Sequence, residues 1–247
     1  MKLSVVMPVY NEAATLRTVL DQVALAPLPS GMELEMIVVD NGSTDGSLEI
    51  ARSFCRMSQT RGAPEVRLLT CAIRGKGSAV REGLTHVTGD VVLIQDADLE
   101  YDVNDYPLLL EPILAGHTDF VLGSRHLSAG TWKIREFAKS PINSFVFNLG
   151  GLFFHGLFNA LYGVRLTDPT TMYKVFRRSC LEGLTFHARR FDFDYELLGK
   201  LIRKGYKPLE VGVNYCSRGF AEGKKIRIWA DPWTWVLAIV RFRYSPL

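Results

Sequence analysis

The sequence predicts an α/β fold, a mostly parallel sheet flanked by helices, and three observations predict it. Apolar strand-like runs, polar loops and helix-like segments alternate four times within the first ~115 residues, the pattern of parallel strands joined by helical crossovers. Each of the four loops follows the carboxyl end of a strand, where open α/β sheets bind their ligands. The chain has 247 residues and 47% hydrophobic content, enough for a sizeable core.

The elements follow in order. Ser4-Val5-Val6-Met7 opens the first strand, which is expected to break at Pro8, and Asn11 is the expected N-cap of a helix from Ala13 to about Ala24. A second strand, Leu34 to Val39, runs into Asp40-Asn41-Gly42-Ser43-Thr44-Asp45, where Asp45 is placed to cap a helix from Gly46 to about Met57. A third, Val66 to Thr70, precedes Arg74-Gly75-Lys76-Gly77 and a helix from Ser78 to about Val87. The fourth, Val91 to Ile94, leads into Gln95-Asp96-Ala97-Asp98-Leu99-Glu100. Neither linker, internal repeat nor low-complexity tract interrupts the chain. One domain over 1–247 is therefore expected, with a ligand-binding half over 1–130 and an elaborated half over 131–247.

The acidic stretch carries the chemistry. If its backbone stays extended, carboxylates at alternate positions share one face. Such oxygen donors suit Mg²⁺ or Mn²⁺, which fill the remaining positions with water and substrate phosphates. An ordinary acidic turn is the alternative.

Charge and apolarity divide the chain unevenly. Residues 200–247 hold ten Lys/Arg against three Asp/Glu, whereas 1–199 hold nineteen against twenty-three. Arg218, Lys224, Lys225, Arg227, Arg241 and Arg243 are placed to meet a substrate phosphate or anionic lipid. Nucleic acid is the weaker reading, because no DNA- or RNA-binding motif accompanies them. Ile142 to Val164 lacks any Asp, Glu, Lys or Arg. On a helical projection Ser144, Asn148, Gly151, His155 and Asn159 form one narrow polar stripe, leaving a wide apolar face for the protein interior or a bilayer leaflet. Lys133, Arg135 and Lys139 precede it, and Trp229, Trp233 and Trp235 near Arg241 and Arg243 resemble an interfacial belt. This is the expected amphipathic membrane-interface helix of the C-terminal half. Four cysteines without paired spacing suit a reducing compartment, the five histidines are scattered, and the N-terminus shows no secretory leader pattern.

Pro8-Val9-Tyr10-Asn11-Glu12, Asp40 to Asp45, Gly75-Lys76-Gly77 and Asp96-Ala97-Asp98, in that order, resemble family 2 glycosyltransferases of the GT-A fold. Gly123-Ser124-Arg125, Thr167-Asp168 before Met172-Tyr173-Lys174-Val175-Phe176, and Arg218 followed by Gly223-Lys224 extend the likeness toward polyprenyl-phosphate sugar synthases such as dolichol-phosphate mannose synthases. Asn41, Ile73, Glu100 and Gly223 depart from the usual Asp, Asn, Gln and Ser.

The resemblance implies a nucleotide-sugar donor, GDP-mannose or a UDP-hexose, with Asp40 at the base, Pro8, Tyr10 and Gly42 shaping the slot, and Glu12 and Ala97 near the ribose. Lys76 would meet base or phosphate. Asp98 and Glu100 would ligate the metal, with Asp96 nearer the nucleotide. The expected reaction transfers the sugar with inversion to a polyprenyl phosphate at the cytoplasmic membrane face, with peripheral membrane association. Arg125, Arg135, Arg218 and Lys224 are the candidates to hold phosphates. The alternative is a soluble transferase acting on a saccharide hydroxyl, which needs a general base, Asp192 or Asp194; both residues equally suit capping of the helix that follows them. A non-catalytic nucleotide-sugar-binding subunit is the third class. Oligomeric state has no sequence signal.

Overall fold

The computed structural model describes residues 1–59, 63–131, 133–134, 141–217 and 231–247. Its centre is a seven-stranded sheet with the order β3-β2-β1-β4-β6-β5-β7. The strands are β1 Lys2–Val9, β2 Glu33–Asp40, β3 Glu65–Thr70, β4 Val91–Ile94, β5 Phe120–Ser124, β6 Lys174–Arg177 and β7 Leu209–Gly212. All adjacent pairs are parallel except the two made by β6, which runs antiparallel between β4 and β5. Buried on both faces, β1 and β4 read as continuous apolar runs. The helices are α1 Leu16–Ala24, α2 Ser47–Met57, α3 Lys76–Leu84, α4 Tyr106–Leu114, α5 Arg125–Ala129, α6 Pro141–Tyr162, α7 Phe193–Arg203 and α8 Asp231–Tyr244.

Several local expectations shift. β1 continues through Pro8, paired in register with Val39, to Val9. Asn11 does not cap α1: it takes a left-handed φ of 50°, and its Oδ1 accepts the Thr44 amide at 2.8 Å. The helix starts later, with Thr15 at its cap. Asp45 does work at the start of α2, accepting the Ser47 amide at 3.1 Å and its hydroxyl at 2.6 Å.

At the amino ends of the strands lies a buried carboxylate that sequence reading passed over. Glu35 accepts hydrogen bonds from the Ser4 hydroxyl, the Thr88 amide and hydroxyl and the Gly89 amide, and pairs with Lys2 at 2.9 Å. Burial alone would raise its pKa, but these donors outweigh it and hold the group at about 2.

The polar stripe of α6 lies where the helical projection puts it, and it faces the protein. Asn148 and His155 are buried with Phe158 and Tyr162, at the three- and four-residue spacing of one helix face. Asn159 clamps the chain beyond the helix, bonding both the amide and the carbonyl of Leu166. The polar face thus turns inward because the protein supplies its partners. Phe145, Val146, Leu149, Leu152 and Phe153 are exposed by 41–60%. Phe154, next to Phe153, is buried, and its ring meets Trp235 of α8 at 5.2 Å. By length and composition Ser144–Tyr162 is the one helical stretch among the described residues apolar enough to cross a membrane.

Candidate active site

Beyond the carboxyl ends of β1, β2 and β4 opens a cavity of about 680 Å³. Pro8, Tyr10, Glu12, Lys76, Asp96, Ala97, Asp98, Glu100, Arg125 and Asp194, separated by up to 186 positions in sequence, all line it. Asp40 and Gly42 do not. The Asp40 carboxylate turns back onto its own loop, Oδ2 accepting the amides of Gly42 at 3.0 Å and Ser43 at 3.2 Å. Its Oδ1 is buried and has no hydrogen-bond partner among the described residues. Arg218 and Lys224, with Lys225, Arg227, Trp229, Arg135 and Lys139, lie outside the described residues.

The acidic stretch is not extended as expected. β4 ends at Ile94, and Asp98 Oδ1 accepts the Glu100 amide at 3.0 Å, which bends the chain. The three carboxylates still reach one cavity, because the bend folds Glu100 back toward it, where the Tyr215 hydroxyl donates to Oε2 at 2.9 Å. Asp96 is neutralised by Lys76 at 2.5 Å. Burial would lower the Lys76 pKa, yet Asp96, Asp194 and Asp98 raise it, so the ammonium stays charged. The three carboxylates offer oxygen donors of the kind that a hard divalent cation prefers.

Lys76 owes its place to the glycines beside it. Gly75 has φ +126°, and a Cβ there would lie 2.0 Å from the Arg189 carbonyl oxygen; one at Gly77 would lie 2.6 Å from Phe193 Cβ. Only bare backbone lets the 188–193 segment close over the start of α3.

Arg125 is almost fully buried. Asp168 receives its Nε at 2.6 Å, Nη2 at 2.7 Å and backbone amide at 3.1 Å, and its ring neighbour is Tyr215, 5.1 Å away. Burial would raise the Asp168 pKa, but Arg125 holds it well below the carboxylate range. His126, His155 and Asp168 form a cluster whose ligand atoms lie within 4.8 Å of one another. With Thr170 also bonded to Asp168, its acceptor positions are filled and a guanidinium sits beside it. The cluster therefore anchors Arg125 and is a poor cation site.

Asp194 is not a free base. It receives Lys174 Nζ, itself fully buried on β6, at 2.9 Å. The ammonium also bonds the Thr171 carbonyl. Lys76, Asp96 and Asp194 thus line the cavity, and Lys174 backs Asp194 from β6. Asp192 stands at the cap position of α7, but its carboxylate accepts the Arg190 amide at 2.8 Å.

Sequence reading missed four contributors. Asn41, noted only as a departure, staples the loop after β3: Oδ1 accepts the Gly75 amide at 2.6 Å and Nδ2 donates to the Ile73 carbonyl at 2.8 Å. An Asp could not donate, so the amide itself was the signal. Arg74 covers Tyr10, donating to its hydroxyl at 2.9 Å. Lys174, which reaches Asp194 from β6, and the apolar wall of Val146, Phe147, Gly150, Gly151, Phe154 and Trp235 owe their places to long-range packing.

The profile of "Glycosyl transferase family 2" matches residues 4–185. The chain belongs to glycosyl transferase family 2. The fold agrees with crystal structures of glucosyl-3-phosphoglycerate synthase from Mycobacterium tuberculosis. In complex with Mn²⁺, UDP and phosphoglyceric acid, that enzyme is 21% identical with a TM-score of 0.69, covering all of this chain and 80% of its own. In complex with Mn²⁺, UDP-glucose and phosphoglyceric acid the TM-score is 0.67 at 21% identity, covering 100% and 81%. This family 2 chain therefore shares its fold with a synthase that is not a polyprenyl-phosphate sugar synthase, and the narrower resemblance read from the sequence is not carried by these structures.

Proposed function

We propose that this family 2 glycosyltransferase transfers a hexose, with inversion, from a nucleotide-sugar donor in a Mg²⁺- or Mn²⁺-dependent reaction. A uridine diphosphate donor is favoured over a guanosine one by the UDP and UDP-glucose complexes of the similar synthase. Tyr10, held by Arg74, forms one wall of the nucleotide slot. Asp98 and Glu100 hold the cation, which supplies Lewis-acid stabilisation of the departing diphosphate. Lys76 and Arg125 line the same cavity, each held by a carboxylate partner, Asp96 and Asp168.

The acceptor we propose is a polyprenyl phosphate at the cytoplasmic face of a membrane. One observation carries this: the cavity runs from the three carboxylates to an apolar wall on α6 and α8, and α6 presents its exposed apolar face beside it. A phosphate nucleophile is already anionic and needs no base, which suits an Asp194 held by Lys174.

The second reading is transfer to a hydroxyl of a small polar acceptor. The comparisons favour it, because the similar synthase was crystallised with phosphoglyceric acid, and Asp194 does line the cavity. Purified protein is incubated with UDP-hexoses or GDP-mannose, Mn²⁺, and either a polyprenyl phosphate or a panel of saccharide and phosphoglycerate acceptors, and products are identified by mass spectrometry. A sugar found only on the lipid phosphate, with Asp194→Asn retaining transfer, supports the first reading. A sugar on a hydroxyl acceptor with Asp194→Asn inactive overturns it.

A further inference from the structure

A second cavity, about 500 Å³, shares Arg190 alone with the lining of the donor cavity. Its ionisable lining is Arg81 of α3, His187, Arg189, Arg190 and Asp192 of the segment before α7, and Arg241 of α8. Among the described lining residues, four arginines from three elements thus stand with one acidic residue, Asp192. That carboxylate is already engaged, accepting the Arg190 amide. Among the described residues no carboxylate pairs with Arg81, Arg189 or Arg241 within 4.0 Å. Clustered like charges repel unless a counter-ion joins them, and guanidinium forks match phosphate oxygens in pairs.

The backbone that carries these arginines is fixed. Glu196, fully buried and paired with Lys200 at 3.0 Å, accepts the amides of His187 at 2.9 Å and Ala188 at 2.7 Å. The Arg189 carbonyl accepts the Ser78 amide at 3.0 Å. The backbone beside Arg189 and Arg190 is therefore pinned before any ligand arrives, which lowers part of the ordering cost of binding.

We propose that this cavity binds a phosphate-bearing anion, at a site separate from the donor cavity. Arg190 lines both cavities, so an anion here sits one residue from the donor pocket wall. Two sources share this chemistry: a free phosphate compound, or the headgroup of an anionic lipid. The second is suggested by Leu237, Val240 and Tyr244, which are exposed on α8 beside Arg241.

The test compares wild type with Arg81→Gln/Arg189→Gln/Arg241→Gln, leaving Arg190 intact. A charge-matched control replaces the exposed Arg52, Arg56 and Arg178 by Gln. Pyrophosphate binding is measured calorimetrically in chelator, and any share taken by the donor cavity is common to wild type and both triple variants. Vesicle binding is measured by co-sedimentation with phosphatidylcholine alone and with added phosphatidylglycerol. Losing several charge-assisted contacts is expected to weaken pyrophosphate or phosphatidylglycerol-vesicle binding by about tenfold or more, while the control matches wild type. Loss with pyrophosphate alone assigns a free phosphate, loss with vesicles alone assigns a headgroup, and loss with both assigns one site open to either. Absence of binding to both probes by wild type, or equal behaviour of the two triple variants, overturns the proposal. Should the pocket triple fail to fold by circular dichroism, Arg81→Gln and Arg241→Gln are tested singly, and unchanged binding in both overturns it. UDP binding with Mn²⁺ is followed in parallel, so a failure of the donor assignment is seen separately.

Discussion

Lys174→Met isolates the buried ion pair that fixes Asp194. The ammonium is fully buried, while the Asp194 side chain is 13% exposed. Removing the charge loses one charge-assisted hydrogen bond, about 1.5–3 kcal/mol, and leaves the Thr171 carbonyl without this donor. Breaking a buried pair typically costs about 3–5 kcal/mol, and the partial access of Asp194 to water places this case near 3. Adding Asp194→Asn removes the stranded charge, so the double variant is expected to recover about 1–2 kcal/mol relative to the sum of the singles. Urea unfolding of the four proteins, followed by tryptophan fluorescence at pH 7, measures each term. A cost below about 1 kcal/mol for Lys174→Met, or strictly additive singles, would refute the view that Lys174 holds Asp194 as its counter-ion.

Three further outcomes are expected. Asp98→Asn should fold normally yet lose about a hundredfold in transfer rate, and chelator should abolish wild-type activity; full turnover in excess chelator would remove the metal from the mechanism. Leu149→Ser/Phe153→Ser should leave the melting temperature within a few degrees, because both side chains face solvent, and should weaken binding to vesicles about tenfold or more; unchanged vesicle binding counts against the membrane-facing role of α6. For pH, the folded pKa of Glu35 is depressed from 4.5 to about 2, so its contribution, on the order of 3 kcal/mol, is complete above about pH 5 and is lost as pH falls from about 4 toward 2. The stability gap between wild type and Glu35→Gln should accordingly be wide at pH 7 and nearly closed at pH 2, and a gap that does not narrow in acid would show that the carboxylate is not stabilised in the folded state.

The sequence by itself determined the alternating strand and helix architecture, the four loops and the acidic stretch. These depend on local periodicity and turn chemistry: Val91 to Ile94 is apolar enough to be buried on both faces, and Gly75 and Gly77 mark a close approach of backbone. It also located the polar stripe of α6. Tertiary structure alone decided what each feature meets. The inward turn of Asn148 and His155 depends on Ile134 and Thr170, which accept or supply their hydrogen bonds from other segments. Asp194 changed from candidate base to paired anion because β6 inserts between β4 and β5 and brings Lys174 to it, a contact across 20 positions with no periodic signal. The extended reading of Asp96 to Glu100 failed because a side-chain carboxylate can take a neighbouring amide and bend the chain, a competition that residue spacing does not record. Periodicity reports which face of an element is polar; the partners that satisfy that face, and hence its direction, exist only once the chain has folded.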